Sequence, residues 1–320
     1  MNSENIISID LGGTKLRVRA TSPVISEALE FEIPGKNLRL MGELEFGKLL
    51  LTVKERVEKT FGKIPFCWLI GAAGARGTSD EQKIALLLSD LGIKANTVRV
   101  YSDFKASWAA AFNGSPGIIS INGTGSIVFG KNHDSEMRKG GWGYLLDDTP
   151  SGACFGRLAA QGLMHHWESI QCKSVNNLEI LADIYSRKYQ QWPQEKSAFT
   201  DLIYSGTNIQ QLFGGLAPLF LEASEAGCAW CRNHIDSSIN LLFCQIYTIA
   251  SEIFQEKPVS FCGIGGLWEN SEYFVKIFSE LLSSQKKNGF SEPLNSLISV
   301  KHAVNPTIAG PKVLFFLEEN

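Results

Sequence analysis

Two glycine-rich turns, each directly after an apolar strand, contain the residue types that could bind an anion. The first strand reads Ile-Ile-Ser-Ile over residues 6–9, and Asp10 and Leu11 lead into the first glycine turn, Gly-Gly-Thr-Lys at residues 12–15. Glycine lets backbone N–H groups approach an anion, and successive N–H groups in such a turn form an anion-binding concavity. Asp10 would repel a phosphate directly, so its carboxylate indicates a hydrated Mg²⁺ that bridges to phosphate groups.

The same strand sequence returns at residues 118–121 and leads through Asn122 into the second glycine turn, Gly-Thr-Gly-Ser at residues 123–126. The threonine and serine hydroxyls add further donors. One such segment would be an ordinary β-hairpin with a glycine-rich turn. Its repetition favours two related half-domains that present their turns to one shared ligand.

Asp103 lies where a predicted strand, residues 97–101, gives way to a predicted helix, residues 103–112. Aspartate is a favoured helix N-cap, so a purely structural role is open. The alternative is a general base, because phosphoryl transfer uses a carboxylate that accepts the proton of the attacking hydroxyl. The presence of both glycine turns favours the base.

A third glycine-rich segment reads Lys-Gly-Gly-Trp-Gly over residues 139–143. Three glycines beside Trp142 do not suit a helix or a central strand. They suit a loop that presents backbone donors and an aromatic face to a sugar, although a tight turn with Trp142 in the core is also open. Gly-Ile-Gly-Gly at residues 263–266 follows another predicted strand. Lys15 and Arg76 are candidate phosphate or sugar contacts, and a solvated surface role is equally open for each.

Length and composition restrict the class of protein. The chain has 320 residues, 44% of them hydrophobic, and a net charge of −3. This suits two globular domains and gives no electrostatic footprint for nucleic acid. No apolar run is long enough for a membrane span, and residues 1–5 do not resemble a signal peptide. Seven cysteines in mostly apolar surroundings indicate reduced thiols and a cytoplasmic protein. Cys228 and Cys231 have redox or metal spacing, but core packing is favoured.

Hydrophobic periodicity predicts alternating strands and helices, which is typical of an α/β protein with a largely parallel sheet. The second half is richer in helix. Strands are predicted at 6–20, 24–33, 66–70, 97–101, 118–121, 127–129, 259–262 and 297–301. Helices are predicted at 44–61, 81–91, 103–112, 150–170, 178–191, 209–225, 226–255, 272–287 and 306–317.

The two glycine turns, together with residues 139–148, resemble the actin/Hsp70/sugar-kinase superfamily. Within it, Lys-Gly-Gly-Trp-Gly-Tyr-Leu-Leu-Asp-Asp is similar to the N-acetylglucosamine kinase and glucosamine kinase branch of the BadF/BadG/BcrA/BcrD-type ATPases. The resemblance covers most of the chain and is densest between Ile6 and Gly162. It implies two actin-like (ribonuclease H-like) α/β domains with a nucleotide cleft between them, at residues 1–114 plus 303–320 and at residues 115–302.

The resemblance also implies roles for individual residues in an ATP- and Mg²⁺-dependent kinase that phosphorylates an amino sugar, at the 6-hydroxyl, as a homodimer. Asp103 matches the catalytic aspartate, and Asp10 would position the metal. Trp142, Gly141 and Asp148 would bind the sugar. The nucleotide would be held by Gly12, Gly13, Thr14, Lys15, Gly123, Thr124, Gly125, Ser126, Gly265 and Gly266.

Residues 147–150 depart from the Gly-Asp-Glu-Gly pattern that the family usually has. Asp147 replaces a glycine, Thr149 a glutamate and Pro150 a second glycine. Thr149 as N-cap with Pro150 at the first helical position would still start a helix. The extra carboxylate would favour a cationic amino sugar such as glucosamine over an acetylated one. Two other functions stay open: an iron–sulfur activator ATPase of the same family, and a sugar or nucleotide sensor without catalysis.

Overall fold

The computed structural model describes residues 4–13, 15–75, 78–168, 177–206, 208–255, 257–284, 298–300 and 309–319. The chain divides into two compact units. Unit 1 comprises Met1–Gly117 and His302–Asn320, and unit 2 comprises Ile118–Lys301. The domain ends predicted at residues 114 and 303 stay predictions.

Unit 1 is built on a five-stranded sheet in the order β3-β2-β1-β4-β5, where β1, β4 and β5 are parallel and β2 and β3 antiparallel. Residues 6–9 of β1 are buried because both faces of the sheet are covered: Ile7 and Ile9 pack in the cluster that contains Leu50 and Ile84, and Ile6 packs with Phe315. The strands are β1 (Ile6–Leu11), β2 (Lys15–Thr21), β3 (Leu29–Pro34), β4 (Phe66–Ala72) and β5 (Ala95–Ser102), and the helices α1 (Glu43–Phe61), α2 (Thr78–Asp90) and α3 (Asp103–Phe112).

Unit 2 has a second five-stranded sheet, in the order β10-β9-β6-β7-β8, and most of the helices. Its strands are β6 (Gly117–Asn122), β7 (Ser126–Lys131), β8 (Glu136–Gly140), β9 (Val259–Ile264) and β10 (Ile298–Val300). Its helices are α4 (Gly152–Trp167), α5 (Leu178–Lys188), α6 (Lys196–Ser205), α7 (Ile209–Glu225), α8 (Ala229–Phe254), α9 (Gly266–Asn270) and α10 (Glu272–Ser284).

The two sheets have the same strand order when each is counted from its own first strand: third, second, first, fourth, fifth. β1 and β6 are therefore equivalent central strands, and Asp10 and Asn122 occupy equivalent positions at their ends. The predicted repeat is thus a repeat of topology as well as of sequence.

The chain ends in α11 (Gly310–Glu319), which packs in unit 1 against α3. A β-carbon at Gly310 would overlap the backbone of Ala106, so only glycine permits this approach. The helix predicted at 306–317 is present from Gly310, and its predicted start falls in residues 301–308, which lie outside the described residues.

Most predicted elements are present with ends that differ by a few residues. The sequence interpretation missed the edge strand β8, the helix α6 and the short helix α9. The sequence of β8, Glu-Met-Arg-Lys-Gly, is charged and partly exposed, so it lacks the apolar run of a central strand. In α6, only Phe199 is fully buried, which weakens the helical hydrophobic pattern.

Cys228 and Cys231 are completely buried in the core of unit 2, which agrees with the predicted packing role. A hydrogen bond from the Cys231 thiol lowers the pKa of Cys228 to about 7.

Among the described residues, no cluster of three metal-ligating side chains occurs, and no helix is long and apolar enough to cross a membrane.

The close packing of α4 against α7 predicts how two glycine substitutions change the free energy of unfolding. A β-carbon at Gly156 would overlap the backbone of Phe213, whereas a β-carbon at Gly215 would have nothing within 4 Å. We expect Gly156→Ala to lower the free energy of unfolding by about 2–3 kcal/mol, because overpacking forces the helices apart. Gly215→Ala is the matched control and should raise it by up to about 1 kcal/mol, since alanine favours helix. Urea unfolding followed by circular dichroism measures both; equal effects would contradict the packing argument.

Candidate active site

In unit 1, the first glycine turn follows β1 and carries Asp10 at its entrance. The N–H of Gly12 donates to the carbonyl of Lys15 at 2.9 Å, which closes the turn. Asp10 lies opposite Arg17 on β2, with 3.6 Å between Oδ2 and Nη1. The Lys15 ammonium pairs with Glu32 at 2.8 Å on the exposed face of the sheet, which keeps its surface role open. Thr14 and Arg76 lie outside the described residues.

Asp103 is the first residue of α3, and Ser102, not Asp103, is the N-cap. The alternative in which Asp103 is only an N-cap is therefore wrong, although its Oδ1 accepts from the N–H of Phe104 at 2.9 Å. Burial raises the pKa of Asp103 to about 6, the N–H of Phe104 opposes the rise, and the charge of Asp10 adds to it. Asp10 and Asp103 are thus electrostatically coupled carboxylates at the carboxyl ends of β1 and β5.

The support of α3 comes largely from residues that the sequence analysis did not single out. The Tyr101 hydroxyl, at the end of β5, donates to Glu318 of α11 at 3.0 Å. Burial, together with this carboxylate, raises the pKa of Tyr101 well above its ordinary value. A β-carbon at Gly71 would lie 2.9 Å from the Ala106 side chain, so β4 also approaches α3 closely. The start of α3 is held by β4, β5 and the last helix of the chain.

In unit 2, the carbonyl groups of the second glycine turn are bound by the start of α4. The Gly152 N–H donates to the Gly123 carbonyl at 2.7 Å, and the Ala153 N–H donates to the Thr124 carbonyl at 3.1 Å. In a trans peptide the N–H points opposite to the C=O. The N–H groups of Thr124 and Gly125 are therefore directed away from α4, as an anion site requires.

Asn122, the equivalent of Asp10, is completely buried beneath this turn and makes four side-chain hydrogen bonds. Its Oδ1 accepts from the Ser120 hydroxyl and from Trp268 Nε1, the latter at 2.7 Å. Its Nδ2 donates to the Ser126 hydroxyl at 3.0 Å and to the Pro150 carbonyl at 2.8 Å. An asparagine satisfies two donors and two acceptors at once, which a carboxylate cannot do.

The Gly263–Gly266 segment lies against the second glycine turn. Gly265 has φ of +103°, and a β-carbon there would be 2.9 Å from the carbonyl oxygen of Asn122. A β-carbon at Gly263 would overlap the Trp268 ring. The structure therefore brings Gly265 next to Gly123, and close approach explains why residues 263 and 265 are glycines.

Residues 140–147, here called the tryptophan loop, have three glycines at positive φ: Gly140, Gly141 and Gly143, at +67°, +70° and +90°. Trp142 is 64% exposed, so the alternative in which it fills the core is wrong. The Arg138 guanidinium lies 5.7 Å from the ring centroid of Trp142. The loop thus presents an aromatic side chain outward, as a sugar contact requires.

Asp148 is buried, with 8% of its surface exposed. Burial raises the pKa of Asp148 to about 6, hydrogen bonds from the Ser126 and Gly143 backbones oppose the rise, and the charge of Asp147 adds to it. Asp147 is used locally, because its Oδ1 accepts from the N–H of Thr149 at 3.1 Å.

The predicted helix start at Thr149 and Pro150 is wrong. Ser151 is the N-cap of α4, and its hydroxyl accepts from the N–H of Cys154 at 3.1 Å. Pro150 stays outside the helix because its carbonyl accepts from the buried Asn122 amide. The sequence signal was present, since Ser151 is as good a cap as Thr149.

Oxygen ligands are what Mg²⁺ prefers, and a site that uses one or two carboxylates plus water and substrate phosphates needs no larger protein cluster. Asp10 can provide such a carboxylate, because its side chain is 15% exposed. Its charge is also coupled to that of Asp103. The residues present therefore fit a magnesium ion held largely by substrate and water.

The chain is similar to two curated proteins. It is 24% identical over 307 residues to an N-acetylmuramic acid/N-acetylglucosamine kinase of Clostridium acetobutylicum, covering 93% of this chain and 94% of the relative. It is 23% identical over 277 residues to an N-acetyl-D-glucosamine kinase of Dictyostelium discoideum, covering 82% and 84%. No protein-family model matches the chain.

Solved structures show the fold. A suspected N-acetylglucosamine kinase from Chromobacterium violaceum has a TM-score of 0.71 at 20% identity, over 97% of this chain and 98% of the other. A ROK family glucokinase from Streptomyces griseus has a TM-score of 0.56 at 13% identity, over 99% and 100%. The predicted two-domain, actin-like α/β fold and the resemblance to N-acetylglucosamine kinases are confirmed.

The hydrogen bonds of Asn122 predict that it stabilises unit 2 strongly. Asn122→Ala would leave Trp268 Nε1 and the Pro150 carbonyl without this partner, and each unsatisfied buried group costs about 1–3 kcal/mol. We expect the free energy of unfolding to fall by about 3 kcal/mol or more. Asn270→Ala, which removes only an exposed 3.0 Å bond to the Gly266 carbonyl, is the control and should cost less than about 1 kcal/mol. Similar losses for both variants would refute a special role for Asn122.

Proposed function

We propose that this protein transfers the γ-phosphoryl group of Mg·ATP to the 6-hydroxyl of an amino sugar of the glucosamine or N-acetylglucosamine type. The observation that carries the proposal is the position of Asp103, which directly follows β5 as the first residue of α3 and is electrostatically coupled to Asp10. A carboxylate with a pKa near the operating pH suits proton abstraction from a hydroxyl. The similarity to sugar kinases over nearly the whole chain supports the same reaction.

In the proposed reaction, Asp103 accepts the proton of the sugar hydroxyl while the hydroxyl oxygen forms a bond to the γ-phosphorus. The bond between the γ-phosphorus and the β,γ-bridging oxygen breaks, and ADP leaves. Oδ1 of Asp103 already accepts from Phe104, so Oδ2 is the atom assigned to take the proton. This fixed bond would orient the carboxylate, which is part of what a catalytic base needs.

The nucleotide is proposed to bind through backbone donors of both glycine turns. The Thr124 and Gly125 N–H groups, directed away from α4, are the best supported of these donors. Gly265 and Gly266 would contact the adenosine. The remaining proposed nucleotide contacts are Gly12, Gly13, Thr14, Lys15, Gly123 and Ser126. A magnesium ion at Asp10 would neutralise phosphate charge when bound.

The tryptophan loop is proposed to bind the sugar, with Trp142 supplying an apolar face and Gly141 a backbone contact. Asp148 is proposed to contact the sugar as well. Asp147 Oδ1 accepts from the N–H of Thr149, so Oδ2 is the oxygen assigned to an amino group of the sugar. Comparing the turnover of glucosamine with that of its acetylated form tests whether the charge of Asp147 favours the cationic sugar. The homodimer and the cytoplasmic location stay predictions.

The first prediction for catalysis concerns Asp103→Asn. The amide cannot accept the hydroxyl proton, so sugar-dependent ADP release should fall by about 10² to 10⁴-fold. ADP release with Mg·ATP across a panel of amino sugars measures this, and Asp90→Asn, at an exposed position on α2, should leave it unchanged. ATP binding without any sugar-dependent release in the wild type would favour a sensor or an ATPase of another kind.

The second prediction concerns pH. Only the ionised form of Asp103 can act as base, and its pKa of about 6 means that kcat/KM should fall as the pH drops below about 6. A flat pH–rate profile would exclude Asp103 as the base.

The raised pKa of Asp103 also predicts an effect on stability. Because the folded-state pKa lies above the unfolded value, the ionised carboxylate lowers the stability of the folded state above pH 6. Asp103→Asn should therefore unfold at a higher temperature than the wild type at pH 8, and this difference should shrink toward pH 4.

A further inference from the structure

The turn that follows β4 lies between the two candidate carboxylates of unit 1. In the sheet of unit 1, β4 is the strand between β1 and β5. The register places Ala72 of β4 beside Leu11 on one side and beside Ser102 on the other. Asp10 and Asp103 directly adjoin these two neighbours, and each strand is separated from the next by about 5 Å. A ligand that reaches both carboxylates must therefore lie next to this turn.

The turn is built from small residues. It reads Ala-Ala-Gly-Ala over residues 72–75, and its last N–H donates to its first carbonyl at 3.0 Å. Gly74 has φ of +84°, which glycine adopts without strain. Toward β1 the turn is fixed by the backbone alone, because the Ala73 N–H donates to the Leu11 carbonyl at 2.8 Å. Such small side chains leave space for a ligand and give the turn little packing of its own.

The other side of the turn is held by residues 37–41, here called the clamp segment, most of which form one turn of 3₁₀ helix. The N–H of Leu38 donates to the Ala73 carbonyl at 3.0 Å. Arg39 Nε donates to the Gly74 carbonyl at 2.6 Å. A β-carbon at Gly74 would lie 2.9 Å from Arg39 Cγ, so the clamp segment rests directly on the turn.

Arg39 is itself held by a buried carboxylate. Its Nη2 donates at 2.8 Å to Oδ2 of Asp80, a residue that is 4% exposed in the first turn of α2. One rigid guanidinium thus binds the turn and α2 through two of its nitrogens. The next residue, Glu81, accepts from the N–H of Val100 on β5 at 3.1 Å. The helix that anchors Arg39 is therefore fixed to the strand that leads to Asp103.

The bond from Arg39 to Gly74 matters more for the position of the turn than for the folding of unit 1. Gly74 is exposed, and a hydrogen bond to a carbonyl that water can also reach adds little to stability. In contrast, a shift of about 1 Å in a residue that positions a reacting group can cost about 100-fold in rate. A turn beside Asp103 is a place where such a shift would act.

We propose that Arg39 is a positioning residue for the acceptor sugar, because through the Gly74 carbonyl it fixes the turn against which the sugar binds beside the proposed base. The identity of this ligand rests on the proposed function. Asp80 acts only through Arg39, by holding the guanidinium in place. Loosening the clamp segment should weaken the binding and turnover of the sugar. The nucleotide affinity should stay unchanged, since the backbone bond between the turn and β1 remains.

The test compares Arg39→Met and Arg39→Lys with Arg19→Met. Methionine removes both side-chain bonds. Lysine keeps the charge and can pair with Asp80, but its single ammonium lacks the fork that also reaches the Gly74 carbonyl. Arg19, whose ion pair with Glu30 at 3.3 Å is exposed, is the control. Calorimetry measures the Kd of the amino sugar and that of Mg·ADP separately, and steady-state kinetics measures kcat and KM.

We expect both Arg39 variants to raise the Kd of the sugar about tenfold and to lower kcat/KM at least as much, with the Kd of Mg·ADP within about twofold of the wild type. Arg19→Met should change none of these values. Full recovery in Arg39→Lys would show that a charge is enough, as for a direct ligand of the sugar, and would overturn the positioning role. An equal rise in the Kd of Mg·ADP, or values like those of Arg19→Met, would overturn it as well.

Gly74→Ala tests the same contact from the side of the turn, with Gly62→Ala as its matched control. Both glycines have positive φ, +84° and +77°, so alanine is strained at each. A β-carbon at Gly74 would overlap Asn37 Oδ1 in the clamp segment, whereas one at Gly62 has nothing within 4 Å. We expect the Kd of the sugar to rise only in Gly74→Ala. Equal sugar affinities in the two variants would overturn the proposal even if Arg39→Met does not fold.

The wild type distinguishes the failure of this inference from the failure of the proposed function. A wild type that binds an amino sugar without phosphorylating it, with a weaker sugar Kd in Arg39→Met, would refute the kinase and retain the role of Arg39. An active kinase whose sugar affinity ignores Arg39 would refute the inference alone. A wild type that binds no amino sugar would refute both.

Discussion

The bonds from the start of α4 to the carbonyls of Gly123 and Thr124 set the conformation on which the candidate site of unit 2 depends. They hold two consecutive peptide groups in one orientation, and peptide planarity then directs the N–H groups of Thr124 and Gly125 to the opposite side. The first N–H groups of α4 have no acceptor within the helix, and two of them are satisfied by these carbonyls. An anion would be bound by the turn and not by the helix end directly.

The two units use one sheet topology for different chemistry at equivalent positions. At the end of β1, Asp10 is partly exposed and paired with Arg17, which suits a carboxylate that interacts with a metal ion. At the end of β6, Asn122 is buried and binds Ser120, Ser126, Trp268 and Pro150. A single change from carboxylate to amide turns a position that can face a cation into one that organises the surrounding backbone.

Burial of carboxylates recurs around the proposed chemistry and raises two pKa values to about 6. The physical cause is the same, but the environments differ. Asp103 has one oxygen held by the neighbouring N–H of Phe104, which leaves it suited to accept a proton. Asp148 lies against Gly125, where a β-carbon would be 2.9 Å from its Oδ2. The two aspartates therefore share a raised pKa and differ in the groups that surround them.

The sequence by itself determined the α/β class, the repeat of the glycine turns and the positions of Asp10, Asp103 and Trp142, because these depend on local patterns of apolar residues, glycines and carboxylates. Tertiary structure decided the identity of the α4 cap, the bonds of Asn122 and Trp268, and the support of α3 by α11. Trp268 lies 146 positions from Asn122 and Glu318 lies 217 positions from Tyr101. Such contacts leave no periodic signal in a single sequence, since each is formed by folding that brings distant segments into hydrogen-bonding distance.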